Sequence, residues 1–151
     1  MNKHLRYLSY VLRHKWFVGV ECFKVGLFGR GVTHDWHKFL PSEWGPYVRY
    51  FYGNDERSAQ EPFDFAWLHH QKRADHHWQW WMLPEDDGGV KLMPMSPDAR
   101  LEMLCDWCGA SKALGYGGWD GVCKWYDKNK GKMRLHETTR AWVELTLARR
   151  K

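Results

Sequence analysis

No apolar run in this chain approaches the ~20 residues that a membrane span needs. Its opening segment, MNKHLRYLSYVLRHKW, is broken by charge, so a secretory leader is not expected. Cysteine is sparse, with four residues in 151. Cys105 and Cys108 have C-x-x-C spacing but lie in a stretch that reads as helix, and no second C-x-x-C follows. A zinc ribbon and a disulfide scaffold are both disfavoured, which leaves buried thiols in a reducing cytoplasm as the expectation. Alternating apolar and polar residues, the mark of half-buried strands, are nearly missing. Neither an internal repeat nor a linker divides the chain. These absences predict one compact all-α bundle over residues 1–151.

Aromatic residues are abundant: 11 Trp, 7 Tyr and 7 Phe. They suit a core of large rings, and such rings also stack on a base or a sugar. The formal net charge is +5, from 23 Lys and Arg against 18 Asp and Glu. That favours anionic partners mildly, and it admits nucleic acid among them. The basic residues are dispersed. The densest run, Ala148 to Lys151, reads as a solvated helix end.

Apolar residues at three- and four-residue steps (Leu5, Leu8, Leu12, Trp16, Val20, Phe23, Leu27) predict a first helix from residue 3 to about 27, with that stripe inward. Thr33 is expected to cap a short helix, THDWHKFL, ended by Pro41. Ser42 opens the next. Residues 53–61 read as a polar loop, and Pro62 as the start of a histidine-rich helix. Residues 83–94 form the longest expected loop. Ser96-Pro97 then begins a helix to about Leu114, and two shorter helices cover about 120–130 and 138–149.

The histidine-rich stretch, PFDFAWLHHQKRADHHWQWW, holds four of the nine histidines. Imidazole is the commonest protein ligand for transition metals, and a helical bundle builds a metal site from inward side chains on facing elements. The metal-capable residues in order are His14, His34, Asp35, His70, His76, His77 and Asp106. His69 is expected outside the set, because neighbouring helical residues point about 100° apart. His70 and His77 are separated by about 10.5 Å along a straight helix, whereas paired metals sit about 3.5–4 Å apart. A break near residues 73–75 is therefore required, with Asp75 as a candidate cap. By the same arithmetic Glu21 lies too far along its helix to join His14.

The ordered set H…HD…H…HH…D resembles the HD superfamily of metal-dependent phosphohydrolases, over about two thirds of the chain. HDWHK is similar to the HD-x-x-K of the branch with a multinuclear site. The runs HHQKRADHHWQWW and MLCDW resemble, more closely still, a small phage and bacterial family of no settled activity. The chain lacks the Gly-Tyr-Pro signature of the cyclic-dinucleotide branch and the HDxxE of some nucleotidases. The resemblance implies an HD-type helical bundle with two divalent ions (Fe, Mn, Zn, Ni or Co). Asp35 would bridge them. His14, His34 and Asp106 would complete one site, and His70, His77 and His76 the other. It also implies a phosphohydrolase acting on a nucleotide or other small phosphorylated metabolite, with hydroxide attacking phosphorus and Lys38 holding a phosphate oxygen. Two alternatives stand beside this reading: a diiron oxygenase of the HD type with the same ligands, and a non-enzymatic nucleic-acid or protein-binding module with a structural metal.

Overall fold

The computed structural model describes residues 2–150. Seven α-helices and one short hairpin make up the regular structure of these residues, joined in places by single turns of 3₁₀ helix. The fold is all-α.

Helix α1 (Lys3–Lys24) begins at Asn2, whose side chain accepts from the His4 N–H over 2.9 Å. It ends where Gly26 takes φ 80°, a left-handed turn that suits glycine. Its buried face is Tyr7, Val11, His14, Val18, Glu21 and Cys22. The stripe expected to be inward is largely outside: Leu5, Leu12, Trp16 and Phe23 are exposed. Helix α1 carries two apolar stripes of helical period, and periodicity alone cannot say which one meets the neighbouring helices.

Helix α2 (Phe28–Thr33) packs on α1. Gly31 makes this close, since a Cβ there would meet the Cys22 Cβ at 2.9 Å. Thr33 is the last residue of α2, not a cap, and a 3₁₀ turn over Trp36–Phe39 replaces the expected helix. Helix α3 (Pro41–Tyr52) starts with proline in its first turn, ahead of the expected Ser42. Helix α4 (Glu56–Arg73) starts six residues before Pro62, because Asp55 caps it by accepting from the Ser58 N–H. The segment read as a polar loop is thus mostly helix. The expected break does fall at the end of α4, with Ala74 extended and turns following. Strands β1 (Met82–Pro84) and β2 (Val90–Leu92) pair antiparallel, beginning one residue before the stretch 83–94 expected to be loop and lying otherwise within it.

Helix α5 (Pro97–Ala113) is capped by Ser96, which accepts from the Ala99 N–H. It lies along α1, and a Cβ on Gly109 would come within 2.3 Å of Val18 Cγ2. Helices α6 (Trp119–Asn129) and α7 (Glu137–Ala148) pack on its other side. The apolar core has three parts. Tyr7, Val11, Tyr47, Val48 and Ala66 join α1, α3 and α4. Val18, Cys22 and Cys105 join α1 to α5. Met103, Leu104, Val122, Tyr126 and Val143 join α5 to α7, with Trp78 and Trp81 packed against them. All four cysteines are free and buried. No helix among the described residues is long and apolar enough to cross a membrane.

Candidate metal centre

His14 sits in the middle of the buried stripe of α1, one turn after Val11 and one before Val18. Its Nδ1 has no hydrogen-bond partner, and its Nε2 points across to α5, 3.1 Å from Asp106 Oδ1.

The doublet is presented differently from the expectation. His34 has extended backbone and Asp35 is left-handed at φ 52°, the only such non-glycine residue described. On a helix two adjacent side chains would diverge by about 100°; the sharp turn lets both point inward. Asp is one of the few residues that enter this region at modest cost, and strain of this kind concentrates at functional positions. Both residues are buried, and Lys15 Nζ bonds the His34 carbonyl.

Asp35 is the hub. Its Oδ2 lies 3.5 Å from both His14 Nε2 and His34 Nε2. Its Oδ1 lies 3.3 Å from His70 Nε2 and 3.5 Å from His76 Nε2. His34 Nε2 is also 3.4 Å from His14 Nε2 and 3.4 Å from Asp106 Oδ1. Two sets of donors result, His14–His34–Asp35–Asp106 and Asp35–His70–His76–His77, the donor atoms of each lying within 4.8 Å of one another. The edges of 3.1–3.5 Å in the first set suit a shared ion. Donors at the usual ~2.0–2.2 Å from one centre stand about 2.8–3.1 Å apart at octahedral angles and about 3.3–3.6 Å apart at tetrahedral ones. The Nε2 atoms of His70, His76 and His77 and the Oδ1 of Asp35 are buried without a hydrogen-bond partner. Orphaned buried polar atoms are costly, and four of them converging fit a cation.

Two carboxylates that sequence reasoning missed fix the imidazoles. Glu102 Oε1 is 2.8 Å from His34 Nδ1 and 3.2 Å from His76 Nδ1. Glu43 Oε2 is 2.9 Å from His70 Nδ1. With Nδ1–H donating outward, the neutral ring in each case turns its Nε2 lone pair toward Asp35, the tautomer that metal ligation requires. Glu102 also accepts from Arg30 over 2.7 Å, and Glu43 from Arg73 over 3.2 Å. Glu102 stands four residues before Asp106 on α5 and so shares its face, a signal present in the sequence. Glu43, at the start of α3, had none.

Asp75 does not cap a new turn. It makes a two-pronged pair with Arg30 at 2.7 and 2.9 Å, and its carbonyl accepts from Trp81 Nε1. Lys38 Nζ lies 2.6 Å from Asp35 Oδ2 and lines a cavity beside it. His69 and His4 are exposed, and Glu21 is held far from the cluster by Lys24, Lys112 and Trp119.

The electrostatics are those of tightly shared protons. Burial opposes the charged form of Asp35, yet His34, Lys38 and His70 hold its carboxyl well below the usual range. Burial likewise opposes ionisation of Asp106, and bonds from His14 and His34 outweigh it. Burial works against charge on His34 and His76 too. The Asp35 charge and bonds to Asp106 and Glu102 raise His34 to about 9. The Asp35 and Glu102 carboxylates beside it raise His76 to about 10. His77 is held neutral by burial and by the His76 and His70 charges.

With the imidazoles neutral, five carboxylates (Asp35, Asp106, Glu43, Glu102, Asp75) stand against four cations (Lys38, Arg30, Arg73, Lys15), a balance that would suit a cation at the centre.

The chain belongs to a family of unknown function, DUF5662, whose profile matches residues 3–149. Neither a curated protein nor a solved structure matches it.

Proposed function

We propose that this member of DUF5662 is an HD-type metal-dependent phosphohydrolase acting on a small phosphorylated metabolite. One observation carries the reading: the two oxygens of Asp35 face two different groups of imidazole nitrogens. A carboxylate so placed could serve two cations, one oxygen to each, and a single structural ion would leave half of the donors unused. The borderline-to-hard set of five imidazoles and two carboxylates suits Fe, Mn, Zn, Ni or Co.

Bound divalent ions would draw in a phosphoryl group, stabilise its developing charge and bring the pKa of a water toward neutrality. The chain's own residues do the rest. Glu102 and Glu43 hold His34, His76 and His70 in the ligating tautomer. Asp35, fixed in its left-handed turn, sets the spacing. Lys38, at the edge of the cavity, meets a phosphate oxygen as a point charge. In the reaction the water oxygen forms a bond to phosphorus and the P–O ester bond breaks. The water's proton ends on the departing alcohol, and inorganic phosphate is released.

Elemental analysis of protein purified without a metal-affinity tag tests the site, with about two equivalents of transition metal expected. Phosphate release from a set of phosphomonoesters tests the reaction. Wild-type release that persists in Asp35→Ala would end this mechanism.

A further inference from the structure

Two cavities adjoin the donor cluster, and they differ. One is a polar cleft lined by His34, Asp35 and His76 of the cluster together with Arg30, Arg73 and Asp75. Its two arginines are already engaged, Arg30 with Asp75 and Glu102 and Arg73 with Glu43. The other is a cavity of about 400 Å³, within the usual range for small-molecule sites; none of the metal-donor residues lines it, and Lys38, its one charged lining residue among the described residues, links it to Asp35.

The walls of this second cavity are rings that also touch the histidines of the cluster. Tyr10 stacks on His14 with centroids 5.9 Å apart, and Trp67 stacks on His70 at 5.6 Å. Phe63 is backed by Tyr50, stacked at 3.9 Å. Phe51 and Tyr52 stand at the more exposed side. At the floor lie Tyr7 and Tyr47, both buried, and neither hydroxyl has a partner. Burial pushes both phenols up, so they stay protonated and can donate.

We propose that this cavity takes the organic half of the substrate, and that the substrate is a phosphomonoester bearing a flat, polar-edged ring and a single phosphoryl group, a nucleoside monophosphate in chemical class. The inference rests on the hydrolase reading for the position of the phosphate. The rings supply stacking surface for a base, the two unpartnered phenols meet donors and acceptors at its edge, and Lys38 stands where the ester oxygen must pass. The single phosphoryl group follows from the charges. A di- or triphosphate would extend its further phosphates into the polar cleft, where Arg30 and Arg73 are shared among Asp75, Glu102 and Glu43 and the Asp75 charge repels them.

The test compares kcat/KM for adenosine and uridine 5′-monophosphate with that for ribose 5-phosphate and ATP, all with the same added manganese. Stacking on aromatic walls predicts a preference of about ten- to hundred-fold for the nucleoside monophosphates over ribose 5-phosphate. ATP is expected to be at least as poor as ribose 5-phosphate. In Phe51→Ala and Tyr52→Ala, chosen at the exposed side so that folding survives, that preference falls toward parity. Equal use of ribose 5-phosphate and the nucleoside monophosphates by the wild type would overturn this inference and leave the hydrolase standing. So would a preference for ATP. Calorimetric binding of adenosine monophosphate that is weakened by Phe51→Ala, with no phosphate released from any ester, would keep the cavity assignment and overturn the hydrolase.

Discussion

Glu102 grips His34 by its Nδ1 at 2.8 Å, deep between α5 and the turn after α2. The bond settles which nitrogen of His34 is free for an ion. Removing the charge while keeping the shape, as in Glu102→Gln, loosens His34 and His76 together and releases Arg30 from one of its two carboxylates. Metal affinity is expected to fall roughly 10- to 100-fold, the usual effect of losing such an orienting group. Titration calorimetry with manganese reads this directly. Unchanged affinity would mean that Nδ1 anchoring is irrelevant to the site.

The residues that converge were legible because histidines are conspicuous and helix spacing restricts where they can point. The break after Arg73 followed from the distance between His70 and His77 alone. The geometry of the doublet was not legible, since nothing in THDWHK announces that Asp35 leaves the helix for φ 52°. Glu43 was hidden for a related reason: an acidic residue in the first turn of a helix is so common that its bond to His70 leaves no trace in the sequence. The inward face of α1 was misread because Tyr7, Val11 and Val18 form a stripe weaker in hydrophobicity than Leu5, Leu12 and Trp16, and only the surrounding helices decide between them.

That choice of face can be checked by stability. Trp16 is 70% exposed, whereas Val18 is fully buried against Gly109. Trp16→Ser is expected to change unfolding free energy by less than about 0.5 kcal/mol. Val18→Ala is expected to cost roughly 2 kcal/mol or more, from lost methyl burial and the cavity left behind. Urea denaturation of both variants reads the difference. The reverse order would place the core on the other side of α1.

Asp35→Asn asks whether one residue serves both donor sets. Asparagine tolerates the left-handed backbone, so the turn survives. The lost charge leaves Lys38, His34, His70 and His76 around a neutral amide. In the presence of a chelator the variant is expected to be about 3–5 kcal/mol less stable, as when one partner of a buried ion pair is removed. Bound metal should fall from about two equivalents to less than one, as measured by mass spectrometry on the intact protein. Retention of both ions would deny Asp35 its bridging place.

The pH response should take opposite signs with and without metal. His34 and His76 have folded values raised to about 9 and about 10, above the ~6.5 of a free imidazole. Their contribution to the ion-free fold is complete below about pH 6.5 and is lost as pH climbs through 9 to 10. Asp35, Asp106 and Glu102 are depressed, so their contribution is complete above about pH 4.5 and is lost on acidification. His77 and His37 are depressed instead, mainly by burial, so their contribution is complete above about pH 6.5 and is lost below it; the ion-free protein should therefore be most stable near pH 6.5. An ion needs neutral imidazoles and must displace those protons, so its affinity climbs with pH, by up to about tenfold per unit for each proton displaced. Bound ligand stabilises in proportion to the logarithm of its concentration over its dissociation constant. The gap in Tm between manganese-loaded and chelator-treated protein is thus expected to be small at pH 5.5 and to widen steadily toward pH 8. A gap that stays constant across that range would mean that the ion, if bound at all, does not compete with protons on His34 and His76.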